Sequence, residues 1–349
     1  MTKKYNCDEK NLEALSHLIK KLTQMDGVSS DEISVSLSLK KILEKYCDYT
    51  EVDKFGNVIA MINKDTNAKT LMFEAHMDRI GLMVSDISDD GLIEFTNIGG
   101  VDERILPSSE VYILGKEKVA GVIFEYNKSD KKSAEVKDLR IKTFLSECDI
   151  KKFVSVGDMI VVSSDFTKLR NNQFSSGAMD NRAGIASVIN AVSKLNREKI
   201  KYNIAILFSV QEELGLHGAY TGGNSLKCDA AIVVDVTHGA THDSKDETGV
   251  FPLGSGAVIC RGPNFDYKYT LQLIEKAREY EIPYDIEVAS GPSGTSAWAL
   301  QITAGCIPSL LVSIPLKYMH TNVETLDICD IDAVSSLLVV AAEGGIEID

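Results

Sequence analysis

Four stretches of this chain are apolar almost without interruption, and each stops at ionisable side chains. They read "TLMFEAHMD" at 70–78, "NIAILFSVQEE" at 203–213, "AAIVVD" at 230–235 and "SLLVSIPLKYMH" at 309–320. Runs this apolar belong to strands buried on both faces, inside a sheet that helices cover from either side. Core strands have no structural need to end in carboxylates and imidazoles four times over. In open α/β sheets ligands gather at the carboxyl ends of the strands, so the pattern constrains both the fold and the place where chemistry would occur.

The rest of the chain supplies the covering layers. Apolar recurrence at three and four residues predicts helices over about 8 to 25 and 31 to 47, with Ser30 and Asp31 where the second helix would be capped. Strands are expected at 57–62 and 70–76. From about 80 to 166 the character changes to short β-like runs, "GLIEFTNIG", "EVYILG", "KVAGVIFEY" and "FVSVGDMIVV", separated by Gly, Asp and Lys turns. After Gly177 helix and strand alternate again: helix 181–196, strands 202–210, 230–235 and 256–261, helix 265–280, strand 309–314 and helix 331–342. This organisation predicts an α/β fold with a sheet sandwiched by helices. Residues 1–79 and 167–349 would form one discontinuous domain, and 80–166 a small all-β domain inserted into it. A chain of 349 residues, 44% hydrophobic, is long enough for such a core plus an insertion.

Composition excludes some functions. The net charge is −14 and no Lys/Arg-rich block is present, so a nucleic-acid-binding face is not expected. No apolar stretch approaches the roughly 20 residues that span a bilayer, and the charged N-terminus has no signal-peptide core. The expectation is a cytoplasmic protein without membrane contact. Cysteines at 7, 47, 148, 228, 260, 306 and 329 are widely spaced, which predicts reduced, mostly buried thiols and no thiolate metal site.

The polar residues at the strand ends form a short set. His76 and Asp78 end the first run, Glu212 and Glu213 the second, Asp235 the third and His320 the fourth; Asp180 lies in "SSGAMDNRAG", just before a predicted helix. Individually each has an ordinary explanation, as a hydrogen-bonded histidine, a turn residue or a helix cap. Together they do not, because burying several carboxylates in one place is prohibitive unless cations neutralise them. Two imidazoles with carboxylates suit Zn²⁺, Co²⁺ or Mn²⁺. At least five candidate ligands are enough for two ions if one carboxylate bridges them.

With these motifs in order, the chain resembles the tetrahedral (TET) and glutamyl aminopeptidases, dinuclear metallo-exopeptidases. The resemblance covers "AHMDRIGLMV", "IGGVDERILPSSEVYILG", "GAMDNRAG", "VQEELGLHGA", "VVDVTHG" and "YMHTNVETLD". It implies a zinc-exopeptidase-like fold and an enzyme that releases N-terminal residues from short peptides. His76 and Asp235 would bind one metal, Glu213 and His320 the other, with Asp180 bridging. Asp78 would fix the tautomer of His76 and Glu212 would act as the general base. The cofactor would be two divalent ions per subunit, Zn or Co, with Mn as a further candidate. The β-insert resembles the family's small domain for dimer contacts, which implies a homo-oligomer built from dimers, up to a hollow dodecamer.

Three positions depart from the family pattern. Arg79 stands where an acidic residue is usual, a change beside the metals that would alter the charge of the site. Ser296 stands where Asp is common, and "PLGSGAVICRGPN" lacks a basic residue often found there. These bear on substrate preference more than on catalysis. Rival functions on the same fold are a metal-dependent deacylase or carboxypeptidase. An endoglucanase is less consistent with a His-rich set, because glycosidases of the usual kind need two carboxylates. A non-catalytic metal-binding homologue would have lost the base or a ligand, and all are present. His17, His217, His238 and His242 are expected on the surface or in loops, the last two near the substrate.

Overall fold

A computed structural model describes residues 8–63, 65, 67–126, 135–244 and 248–349. The strands are β1 (Tyr49–Val52), β2 (Val58–Ile62), β3 (Thr70–His76), β4 (Gly81–Ile87), β5 (Ile93–Ile98), β6 (Glu110–Leu114), β7 (Lys118–Glu125), β8 (Leu139–Lys142), β9 (Met159–Val162), β10 (Thr167–Lys168), β11 (Gln173–Ser176), β12 (Asn203–Ser209), β13 (Ala230–His238), β14 (Ala257–Arg261), β15 (Tyr284–Val288), β16 (Ser309–Leu316) and β17 (Glu324–Asp327). The α-helices are α1 (Glu9–Thr23), α2 (Ile33–Leu43), α3 (Glu147–Phe153), α4 (Met179–Lys194), α5 (His217–Leu226), α6 (Tyr267–Glu279), α7 (Ser296–Leu300) and α8 (Ile328–Val340).

Eight strands form one mixed sheet in the order β1-β2-β12-β3-β13-β16-β14-β15. Its centre, β12-β3-β13-β16, is parallel, and these are the four apolar runs. Every residue of β12 and β16 is buried, as strands covered on both faces must be. One face packs against α1, α4 and α8, the other against α5 and α7. Because the central strands run the same way, their carboxyl ends, with the ionisable residues, lie along one edge of the sheet.

Between β3 and the returning chain, β4-β5-β8-β7-β6-β9 close into a six-stranded barrel with its own core of Leu82, Ile93, Ile113, Ile123, Ile141 and Ile160 among others. A small sheet, β10-β11-β17, leads back to the main one. Thus the mixed sheet between helices and the β-insert are both present. Among the described residues no helix is long and apolar enough to cross a membrane.

Three local expectations are corrected. The second helix starts at Ile33, and Ser30 and Asp31 do not cap it: Ser30 has φ 79°, and the Glu32 carboxylate turns back to accept from the Ser30 N–H at 2.9 Å. Among the described residues no cysteine forms a disulfide, but only Cys228 and Cys260 are buried, whereas Cys148 and Cys306 are exposed; Cys7 lies outside the described residues. The Arg79 side chain does not line the cleft at the strand ends; it lines a different cavity, at the barrel junction.

One buried amide ties the sheet edge to its loop. Asn57 is fully buried; its Oδ1 accepts from the Val210 N–H at 3.1 Å, and its Nδ2 donates to Asp53 at 2.8 Å and Thr221 at 3.0 Å. It therefore fixes the chain immediately before Gln211, Glu212 and Glu213. Asn57→Ala would leave the Val210 N–H unsatisfied, and urea unfolding is expected to show a loss of about 2 kcal/mol or more; a loss below about 0.5 kcal/mol would contradict this role.

Candidate metal centre at the carboxyl edge

Each candidate ligand arrives from a different element. β3 ends at His76 and β13 carries Asp235, both buried. The loop after β12 supplies Glu212 and Glu213, the first turn of α4 supplies Asp180, and the loop after β16 supplies His320. Positive-φ residues cluster on these connections, at Ala178, Gln211, Tyr318 and His320, and backbone strain of this kind concentrates where side chains must be aimed. The peptide bond between Asp180 and Asn181 is cis.

The side chains form two groups that share Asp180. In the first, His76, Asp180 and Asp235 offer atoms within 4.8 Å of one another; in the second, Asp180, Glu213 and His320 do the same. His76 Nε2 lies 3.0 Å from Asp180 Oδ1 and 3.8 Å from Asp235 Oδ1. His320 Nε2 lies 3.5 Å from Asp180 Oδ2 and 3.5 Å from Glu213 Oε1.

A surrounding shell sets the orientation of these groups. Asp78 is fully buried, with Oδ1 3.4 Å from His76 Nδ1. Its carboxylate also accepts from the Ser29 hydroxyl at 2.6 Å and from the N–H groups of Glu212 at 3.0 Å and Glu213 at 3.2 Å. His320 Nδ1 donates to the Gly100 carbonyl at 2.9 Å, leaving Nε2 directed at the carboxylates. Gly100 is needed for that approach, since a Cβ there would lie 2.8 Å from His320 Nδ1. The buried Glu324 accepts from the N–H groups of His320 at 2.9 Å and Asp180 at 3.1 Å, and so clamps two candidate ligands through their backbones.

Glu324, Ser29 and Gly100 were not singled out from the sequence. Glu324 and Gly100 lie within the quoted "YMHTNVETLD" and "IGGVDERILPSSEVYILG", so a signal for them existed there. Ser29 had none, because its loop touches Asp78 only in three dimensions.

Electrostatics shows what the site requires. Burial, reinforced by Asp235, Glu213 and Asp180 and opposed by His76, pushes Glu212 up to about 9. Burial and then Asp180 raise Glu213 to about 7, and burial raises Asp235 well above the usual carboxylate range despite His76. Burial opposes the protonation of His76, but Glu212, Asp180, Asp78 and Asp235 outweigh it and hold the imidazole well above its ordinary value. The hydrogen bond to Asp180, against burial, brings His320 to about 9. The protein alone cannot keep this many acids ionised in one cleft. Divalent cations would, and an oxygen- and imidazole-rich set of this kind fits them.

The groups line a cleft of about 290 Å³ that continues past Thr237 and His238 to Glu287, Ser293 and Thr295. His17, His217 and His242 are exposed and outside it. Ser296 is buried at the start of α7.

Comparison with known proteins identifies this architecture. The chain is 30% identical over 341 residues to a lysyl aminopeptidase of Pyrococcus furiosus, covering 90% of this chain and 93% of that one. Its structure is similar to an aminopeptidase of the archaeon Desulfurococcus kamchatkensis, with a TM-score of 0.90, 29% identity and 95% of each chain covered. It is also similar to the Pyrococcus horikoshii TET1 peptidase, which can assemble into a tetrahedron or a large octahedral shell, with a TM-score of 0.83, 27% identity and 94% and 99% coverage. The model of the M42 glutamyl aminopeptidase family matches residues 56–337, and the chain belongs to that family of aminopeptidases.

Proposed function

We propose that this aminopeptidase is a two-metal enzyme that releases N-terminal residues from short peptides. The observation that carries this reading is the pair of ligand groups sharing Asp180. His76 and Asp235 would hold one divalent ion, Glu213 and His320 the other, and Asp180 both, with Zn or Co favoured and Mn a further candidate. Two such ions would supply Lewis-acid charge that polarises the scissile carbonyl and makes water in the cleft acidic.

The residues of the chain do the remaining work. Glu212 borders the cleft but belongs to neither ligand group, so its carboxylate is free to take the proton of the attacking water and return it to the leaving amine. Asp78 and Glu324 move no proton; they hold His76, Asp180 and His320 in place. A carboxylate-rich cleft favours a cationic α-amine over an acylated one, which disfavours the deacylase and carboxypeptidase alternatives.

Specificity would come from Glu287. It lines the cleft beyond Asp235 and is oriented by the Thr237 hydroxyl, which donates to it at 3.2 Å. It lies outside both ligand groups, so it is available to a basic side chain, consistent with the lysyl relative. For assembly, residues 1–79 and 167–349 would form the catalytic domain and 80–166 the oligomerisation domain of a dimer-based particle.

Four outcomes are expected. Glu212→Gln should retain metal by elemental analysis yet lose about 10²-fold or more in kcat, and a fully active variant would remove Glu212 from the mechanism. Wild-type enzyme, chelated and then resupplied with Zn²⁺ or Co²⁺, should cleave lysyl- and arginyl-p-nitroanilides but not their N-acetyl forms. Glu287→Gln should cut kcat/KM for these about tenfold or more while sparing leucyl-p-nitroanilide; an equal loss on both would refute the specificity role. Light scattering should give a mass that is an even multiple of the 38.2 kDa subunit, whereas a monomer would refute the assembly.

A further inference from the structure

Arg79 and Arg182 are buried guanidinium groups, 6% and 0% exposed, and among the described residues neither forms an ion pair with a carboxylate. Arg182 donates only to neutral carbonyls, Leu22 at 3.1 Å and Asp26 at 3.0 Å. The Nε–H of each arginine is buried without an acceptor. Both groups border the same loop. The Arg79 N–H bonds to the Gly27 carbonyl at 3.1 Å, and a Cβ on Gly27 would lie 2.9 Å from Arg182 Nη2.

The nearby acids are engaged elsewhere. Asp26 pairs with Lys118 at 2.9 Å, Glu324 accepts from the N–H groups of Asp180 and His320, Asp78 accepts from Ser29 and the Glu212 and Glu213 N–H groups, and Glu32 accepts from the Ser30 and Gln211 N–H groups. Burying a cation without a partner is among the costliest arrangements in a protein interior. The missing partner has a place to sit. Arg79 opens onto a cavity of about 130 Å³ between the loop after α1 and the barrel, lined also by Gln24, Asp26, Tyr112, Lys118 and Ser164. Arg79 Nη2 and Ser164 Oγ, from two residues of this lining, both approach Gly177, lying 2.8 and 3.0 Å from the position a Cβ there would take.

We propose that this cavity binds a monovalent inorganic anion of chloride size, held by Arg79, Lys118 and the Ser164 hydroxyl. Among the charged groups lining the cavity, Lys118 and Asp26 pair with each other and Asp165 is exposed at the rim, so the buried charge left to match is that of Arg79, which one negative charge balances. The site is distinct from the metal centre and stabilises the junction between the barrel and the main sheet.

The test is thermal unfolding of the full metal-loaded protein at constant ionic strength, with the large HEPES anion progressively replaced by chloride. The wild type should show a saturable rise in Tm, because an anion bound only by the folded state stabilises it by mass action. Arg79→Gln should lose that rise. Arg79→Glu, which places a carboxylate beside Arg182, should lose it too and melt above the wild type in chloride-free buffer. Crystals soaked in bromide should give an anomalous peak within hydrogen-bonding distance of Arg79. A chloride response equal in wild type and Arg79→Gln, or bromide found only at the surface, would overturn the proposal. If either variant fails to fold, the wild-type titration and the bromide position decide between these outcomes.

Discussion

The structure depends on bringing Asp180 within reach of two imidazoles at a buried sheet edge. Its carboxylate lies 3.0 Å from His76 and 3.5 Å from His320, and hydrogen bonds from His320 and His76 overcome burial and keep its pKa below the usual carboxylate value. Glu212, Glu213 and Asp235, crowded around it, are pushed the other way by desolvation. Such opposed environments within one cleft mark a functional site. Here they mark a site whose charges divalent cations would balance.

The elements around this cluster each fix one degree of freedom. The parallel register sets His76 beside Ser209 and Asp235 beside Ser313, which aligns the strand ends. Asp78 addresses one imidazole through its Nδ1, and the Gly100 carbonyl addresses the other in the same way. Gly100 follows β5, so the barrel takes part in the candidate metal centre: the placement of the insert determines which nitrogen of His320 faces the carboxylates. The pair of arginines at the same junction makes the seam between barrel and sheet electrostatically demanding as well.

Much of this was legible in the sequence because burial leaves a local trace. β3 was expected at 70–76 and forms there, and the other central strands lie within three residues of expectation, since near-continuous apolar runs have few alternatives. Elements with weaker traces were missed. β1, β15 and β17 are four or five residues long, α7 is five, and α5 carries three glycines that dilute its helical pattern. The cap at Ser30 failed because a tertiary partner, the Gln211 N–H, draws on the same Glu32 carboxylate at 3.1 Å. The position of Arg79 beside Asp78 predicts a side chain next to the candidate metal site, but successive residues in extended chain point to opposite sides.

By itself, the sequence determined which residues were too costly to bury separately: acids and imidazoles at the ends of apolar strands require a shared cation whatever the loops between them do. Tertiary structure decided how they are shared. Asp180 stands between two groups, Glu212 lies outside both, and Glu324 reaches two candidate ligands through their backbone N–H groups. It also decided that Arg79 turns away from the cleft and into the cavity at the barrel junction. The contacts of Asp180 with His76 and with Glu324, and of His320 with Gly100, join residues 104, 144 and 220 positions apart in the chain, and no local pattern encodes distances across a sheet edge.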